Sequence, residues 1–461
     1  MTGTNTSSGS AVADLTAMMM VDDPYVADGR DDHDELRLAA ANERLAEQRS
    51  QVRALDLRAK DLGIEKFTDR ADLIPLLFAH SVYKSYPESF VATGRWKQLS
   101  AWLDSVTTGD VSEIDVSDCT DVDDWLERLD QNGFHVIVSS GTSGKNSFLP
   151  MNDTDLEVLA TTGANMVGYP HRIPHKQDRP VIILGPSNAR MRYKYGHQAN
   201  AAAYGRPGAV HSLTDEPMLV SDTLIQVNIR RAMSDGTATP SEIAAYQADQ
   251  KVRSEQMRQN VEKLIATVLS YRDEPQVIIG PWAMAWRLLE AGHAAGLSEN
   301  VLHPESAVNI AGGLKGLDLP EDYADQIDRF LGPVHRQMIY TFSEQTVAAV
   351  MCEQGVYHWP KAVELFILDE TGEHLEEIGA DGRVTGRVGA YDPIWSGRWG
   401  GIISGDKATA NYTPCPCGRI GPTIEDSVVR YSELSAGGDD KLTCGGSIEQ
   451  YIRGIEPVAQ T

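Results

Sequence analysis

The sequence predicts an α/β protein, a large body of mostly parallel sheets flanked by helices and followed by a small β-rich subdomain. Two observations predict the body: short β-branched runs recur along the chain, and polar stretches of helical length separate them. A third predicts the subdomain: residues 372–423 are rich in Gly and in turn-forming pairs.

Taken in order, residues 1–34 are rich in Ser, Thr, Gly and Asp and read as a disordered acidic arm. Residues 35–130 read as a helical region. Its first part carries Leu36, Leu38, Ala39, Leu45, Val52, Leu55 and Leu57 at amphipathic spacing, broken near Gly63. Its second part carries Tyr83, Tyr86, Phe90, Trp96 and Trp102, aromatics placed to pack against the main body. Residues 131–370 read as the α/β core. Strands are expected at Val136-Ile-Val138, Val181-Ile-Ile-Leu184, Val277-Ile-Ile-Gly280, Ala307-Val-Asn-Ile-Ala311, Gln337-Met-Ile-Tyr340 and Val363-Glu-Leu-Phe-Ile-Leu368. Helices are expected from Asn152 or Asp153 to Met166, with either residue a good N-cap, and from Ser241 to Arg272. Residues 371–435 make the small β subdomain.

The 461 residues give room for two or three domains. No apolar run approaches a membrane span, and the polar, acidic start lacks a secretory pattern. The formal charge of −25 argues against nucleic acid or an anionic membrane as a general partner. It also requires any site for an anionic ligand to be locally basic. Five cysteines in a chain of this length do not suggest a disulfide framework, so a reducing cytoplasm is the expected location.

The most informative segment is the loop Ser139-Ser-Gly-Thr-Ser-Gly-Lys-Asn-Ser147, directly after the strand ending at Val138. Ser140, Gly141, Thr142, Ser143 and Gly144 let the main chain approach a polyphosphate closely, and Lys145 brings a positive charge to its oxygens. A Walker A loop is excluded, because it needs Gly at position 139 and Ser or Thr at position 146, where this chain has Ser139 and Asn146. A plain turn is the bland alternative. Four later segments follow: Ala311-Gly-Gly-Leu-Lys-Gly316, Tyr340-Thr-Phe-Ser-Glu344, Ser404-Gly-Asp406 and Gly438-Asp-Asp-Lys-Leu442.

In that order and at those separations, the segments resemble the successive motifs of the adenylate-forming superfamily. The chain is most similar to its phenylacetate–CoA ligase branch and to the acyl-protein synthetases that feed fatty-acid reductases of luminous bacteria. The resemblance runs from about Phe134 to Leu442. It implies ATP-dependent activation of a small carboxylic acid to an acyl-adenylate, followed by transfer to a thiol, either CoA or a protein cysteine. It further implies that Ser140 to Lys145 cradle the β- and γ-phosphates. Gly312 and Gly313, with Tyr340, Thr341 and Ser343, would border the adenine and the activated carboxylate. Glu344 would hold Mg²⁺, and Asp406 would accept from the ribose hydroxyls. Read alone, Glu344 is a solvated glutamate and Asp406 a turn residue.

Three further expectations come with the resemblance. The usual arginine before the Asp-Asp hinge is replaced by Gly437 and Gly438, and residues 436–461 read as a hinge remnant and tail without the C-terminal lid. A partner chain supplying the lid, or a reductase, would then be expected. In the acyl-protein synthetase branch a cysteine near the C-terminus receives the acyl group. Cys444 in Thr443-Cys-Gly-Gly446 stands in a comparable place, the alternative being an incidental thiol. Tyr195 and His197, in the basic and aromatic stretch 189–197 that includes Arg192 and Lys194, correspond to the acyl-pocket wall. A solvated cationic loop is the plainer reading.

Cys352, His358, Cys415 and Cys417 supply three thiols and one imidazole, the closed set a structural Zn²⁺ prefers. Some phenylacetate–CoA ligase relatives resemble this pattern, and unrelated thiols beside a surface histidine are the alternative. A function of a different class is also open: a non-catalytic nucleotide-binding partner that keeps the fold. Lys145, Glu344 and Asp406 together argue for the ligase.

Overall fold

The structure is a computed structural model that describes residues 9–139, 145–190, 193–311 and 319–434. It divides into two compact units, one formed by residues 1–162 with 340–461 and the other by residues 163–339. The segment read from sequence as a single core, 131–370, is therefore shared between the two. Among the described residues no helix is long and apolar enough to cross a membrane.

The unit 163–339 is built on a five-stranded sheet, parallel throughout, in the order Gly205–Thr214, Arg179–Pro186, Val277–Pro281, Ala307–Ala311, His335–Gln337. Alternate residues on each strand face opposite sides, and both sides are covered, as a parallel sheet requires. Ile182, Leu184, Ile278, Val308 and Ile310 pack with Leu264, Ile265 and Val268 of the helix Pro240–Ser270. They also meet Leu288 of Trp282–Ala294 and Phe330 of Tyr323–Leu331. Val181, Val277, Ile279 and Ala307 face the other way, against Val167, Ile173 and Tyr204. Gly292 sets how closely two of these helices approach, since a Cβ there would lie 2.2 Å from Phe330 Cζ.

The unit 1–162 with 340–461 holds a nine-stranded sheet dominated by antiparallel pairs. Its order runs Glu364–Leu368, Arg383–Tyr391, Gly401–Asn411, Thr423–Glu425, Val356–His358, Ala349–Met351, Ile339–Tyr340. Phe78–Ala79 adds in parallel and Val429–Arg430 antiparallel to the long strand Gly401–Asn411. The β-rich part thus begins well before residue 371, because Glu364–Leu368 pairs along its length with the strand ending at Tyr391.

The arm expected over 1–34 contains a helix, Ala11–Met19, capped by Ser10, whose side chain accepts from Ala13 N. Val12, Leu15 and Met19 line one face and pack on Val347, Ala362 and Ile394. The polar average of the whole arm hides this 3.6-residue stripe. The amphipathic stretch that follows is two helices, His33–Gln48 and Arg53–Leu62, the second ending at Gly63 in the left-handed region with φ of 66°.

Candidate nucleotide and metal sites

The phosphate-loop segment is a hairpin connection. His135–Val138 pairs antiparallel with Phe148–Met151, bringing Val138 opposite Phe148. This second strand lies between the loop and the helix Asp153–Asn165. Asn152 caps that helix, its side-chain oxygen accepting from Asp155 N at 3.1 Å. Three residues close the neck of the loop: Ser139 N donates to Ser147 O (3.1 Å), Asn146 Nδ2 to Ser139 O (2.6 Å), and Ser147 N to Ser139 Oγ (2.8 Å). Ser139 and Asn146, which rule out a Walker loop, are therefore the residues that fasten this one. Lys145 lies over the Tyr86 ring, 4.4 Å from its centroid, and its ammonium donates to the Tyr86 carbonyl. The Tyr86 hydroxyl in turn donates to Asn146 O at 3.0 Å. Ser140, Gly141, Thr142, Ser143 and Gly144 lie outside the described residues, as do Gly312, Gly313, Arg192 and Cys444.

Two of the later motifs meet. The Tyr340 hydroxyl donates to Asp406 Oδ2 at 3.1 Å, and both side chains are buried. Burial, with the adjacent Asp406 charge, holds the Tyr340 hydroxyl well above its ordinary pKa, so it stays a donor. Asp406 also faces Arg430 across a strand pair, with Arg430 Nε 3.6 Å from Asp406 Oδ1. Sequence reading found no arginine for this neighbourhood, because strand register rather than spacing brings Arg430 there. The ring of Tyr340 is surrounded by Phe342, Tyr357 and Trp359, with centroids between 6.1 and 6.4 Å away.

Four residues on, the Glu344 side chain is partly buried. Desolvation raises its pKa, while the cation of Arg398 acts against that rise. The main chain here is held from beneath. Trp395 Nε1 donates to Glu344 O at 2.7 Å, and Arg398 donates to Ser343 O at 3.4 Å. Thr341 Oγ1 donates to Phe342 O at 3.3 Å.

Tyr195 and His197 lie on the helix Tyr193–Tyr204 of the other unit. His197 is buried, and desolvation pushes its pKa down to about 4, so the imidazole is neutral near pH 7. Lys194 Nζ lies 5.8 Å from the Tyr195 ring centroid.

The four cysteine and histidine residues singled out by type come together. The candidate ligand atoms of Cys352, His358, Cys415 and Cys417 all lie within 4.8 Å of one another. Cys352 Sγ is 3.9 Å from Cys415 Sγ, and Cys417 Sγ is 3.1 Å from His358 Nε2. A tetrahedral ion with Zn–S bonds of about 2.3 Å separates its ligands by nearly 4 Å, so the set fits Zn²⁺. Two turns deliver it. Gly355, at φ 73°, folds Cys352 back towards His358, and Gly418, at φ 81°, closes the Cys-Pro-Cys bend by donating to Cys415 O. His358 Nδ1 lies 3.4 Å from the Ile420 carbonyl, which fixes the tautomer that directs Nε2 at the thiols. Burial lowers the His358 pKa, favouring the neutral ligand form.

No protein-family model matches the chain, and no curated protein does. Among solved structures, 2-hydroxyisobutyryl-CoA ligase in its postadenylation state with 2-HIB-AMP aligns over 90% of this chain and 72% of its own, at 12% identity and a TM-score of 0.52. The same ligase with 2-HIB-AMP and CoA, in the thioesterification state, aligns over 89% and 72% at the same identity and score. Identity this low speaks to architecture alone: the chain shares the overall fold of that ligase.

Proposed function

We propose that the protein is an AMP-forming acid–thiol ligase. A carboxylate oxygen attacks the α-phosphorus of ATP, the α–β anhydride bond breaks, and pyrophosphate leaves with the bonding electron pair. A thiol sulfur then attacks the acyl carbon of the adenylate, loses its proton to solvent, and displaces AMP. In this reading Lys145 leaves Tyr86 for the phosphates, Glu344 holds Mg²⁺, and Asp406 with Tyr340 orients the ribose. Tyr195 and His197 would form part of the acid pocket. Zn²⁺ on Cys352, His358, Cys415 and Cys417 would be structural, since protein atoms fill all four positions.

The observation that carries the reading is the direct bond between Tyr340 and Asp406, two motif residues 66 apart in sequence, in a chain with this fold. The acceptor thiol is either CoA or a protein cysteine, with Cys444 the candidate that would make the protein a self-acylating synthetase.

Intact-protein mass spectrometry after incubation with ATP, Mg²⁺ and a panel of fatty and aromatic acids tests this, with pyrophosphate release followed in parallel. Pyrophosphate release together with an acyl mass that vanishes in Cys444→Ser is the expected result. Release without an adduct would transfer the acceptor role to CoA or another thiol. No release with any acid would count against the ligase.

A further inference from the structure

Between the strands Arg383–Tyr391 and Gly401–Asn411 the chain runs through Trp395-Ser-Gly-Arg-Trp399 without regular structure, yet it is buried and densely bonded. Asp155, fully buried, accepts from Ser396 N (2.8 Å), Ser396 Oγ (2.9 Å) and Gly397 N (2.9 Å). Thr107 Oγ1 donates to Gly397 O at 2.8 Å, and Gln48 Nε2 to Trp395 O at 3.0 Å. A Cβ on Gly397 would sit 2.6 Å from Asp155 Oδ2, so no other residue fits. The segment is anchored from several sides before it touches the candidate site.

Its contacts with that site come from two side chains. Arg398 is 1% exposed and stacks at 3.8 Å on the Trp395 ring, with Tyr83 at 5.4 Å. One arm of its guanidinium donates to Pro150 O at 3.3 Å, in the strand that follows the phosphate loop. The other donates to Ser343 O at 3.4 Å, beside Glu344. Trp395 Nε1 takes the next carbonyl, that of Glu344. Among the described residues no carboxylate lies within 4.0 Å of Arg398. A fully buried cation that makes no ion pair within 4.0 Å, and is balanced only at longer range by Glu344, is costly, and neutral donors could satisfy lone carbonyls. A planar fork does what they cannot, reaching two backbone elements at once while stacking on an indole.

We propose that Arg398 is a positioning residue that, with Trp395, holds the Glu344 segment at a fixed separation from the strand leaving the phosphate loop. In the ligase reading, on which only the activity arm of the test rests, this fixes the distance between the Lys145 end and the Glu344 end of the ATP site.

Hydrogen–deuterium exchange on the ligand-free full chain tests the brace directly. In Arg398→Gln, peptides covering 148–151 and 341–346 should exchange at least about tenfold faster. The strand Arg383–Tyr391 in the same unit should keep its wild-type protection. Trp395→Phe, which keeps the ring and loses the N–H, should affect only the 341–346 peptide. Wild-type exchange in both peptides of folded Arg398→Gln would overturn the proposal, and so would a uniform rise across the unit. Should that variant not fold, Arg398→Lys decides, since it keeps the charge and loses the fork. Acceleration in the same two peptides supports the brace, and wild-type exchange overturns it.

The activity arm adds a split. Arg398→Gln should lower kcat for pyrophosphate release at least roughly thirtyfold, leave KM for the acid within about threefold, and raise the Mg²⁺ needed for half-maximal ATP binding by calorimetry. If the wild-type protein releases no pyrophosphate with any acid, the ligase reading fails, and the exchange arm still decides the role of Arg398.

Discussion

His197 shows burial overriding residue type. Its imidazole belongs to a basic, aromatic stretch that reads from sequence as a solvated cationic loop or a pocket wall, but it is enclosed and its pKa is lowered to about 4 from 6.5. Between those two values the unfolded chain binds a proton that the folded chain refuses. The stability this group contributes is therefore fully present above pH 6.5 and is lost as the pH falls towards 4. Over that window His197→Gln should show a flatter fall of the thermal midpoint than wild type, and parallel profiles would show that the imidazole does not titrate as its burial requires. The candidate residues that sequence exposes are those whose type suits the proposed chemistry: Lys145, Glu344, Asp406, Tyr340. Arg430, in Val428-Val-Arg-Tyr431, and Arg398, between Gly397 and Trp399, stay hidden in the sequence, because neither has a local pattern. One owes its place to the register of Asp406 against Arg430, the other to carbonyls some 55 and 248 residues away.

Elements were legible wherever periodicity was strong. The strands around Val181, Val277 and Ala307 and the helix Pro240–Ser270 all lie within a few residues of where pattern places them. Phe148–Met151 was missed because Pro150 argues against a strand; it is tolerated here in a two-stranded hairpin, where a missing N–H need not break a central ladder. The helix Ala11–Met19 was missed because its flanks are polar. The start of Pro240–Ser270 is a capping box: Glu242 N donates to Thr239 Oγ1 at 3.3 Å, Thr239 N donates to Glu242 Oε2 at 2.8 Å, and Pro240 occupies the first turn. Only the last third of this 31-residue helix is buried, so its first turns depend on the cap more than on packing. Thr239→Ala should cost about 1 kcal/mol locally. Faster amide exchange in residues 240–246 with unchanged protection at Leu264–Val268 would show it, and unchanged exchange in both would mean the cap contributes nothing.

At the scale of the whole molecule, the described residues make one many-ligand cluster, and it joins segments that secondary structure alone leaves loose. The turn after Met351 and the bend 415–418 have few buried apolar residues, and Cys415 and Cys417 are partly exposed. Cys417 Sγ stands 3.1 Å from His358 Nε2, and three soft ligands with an oriented imidazole are best satisfied by Zn²⁺. An ion bound by these four residues belongs to folding, because binding free energy at such a site is folding free energy. Purified protein should carry about one zinc per chain, and a strong chelator should lower the thermal midpoint and open residues 412–422 to protease. Cys417→Ser and His358→Gln should reproduce both effects without chelator, whereas Cys119→Ser, which changes a thiol outside the cluster, should reproduce neither. Two results would sink this. One is protein lacking stoichiometric zinc whose Cys352 and Cys415 react with a thiol reagent equally fast with and without chelator. The other is a disulfide between those two thiols, whose sulfurs already stand 3.9 Å apart, found by mass spectrometry in protein kept under reducing conditions. In either case the cluster would be a redox pair or a packing coincidence, and the two turns would need another explanation for their order.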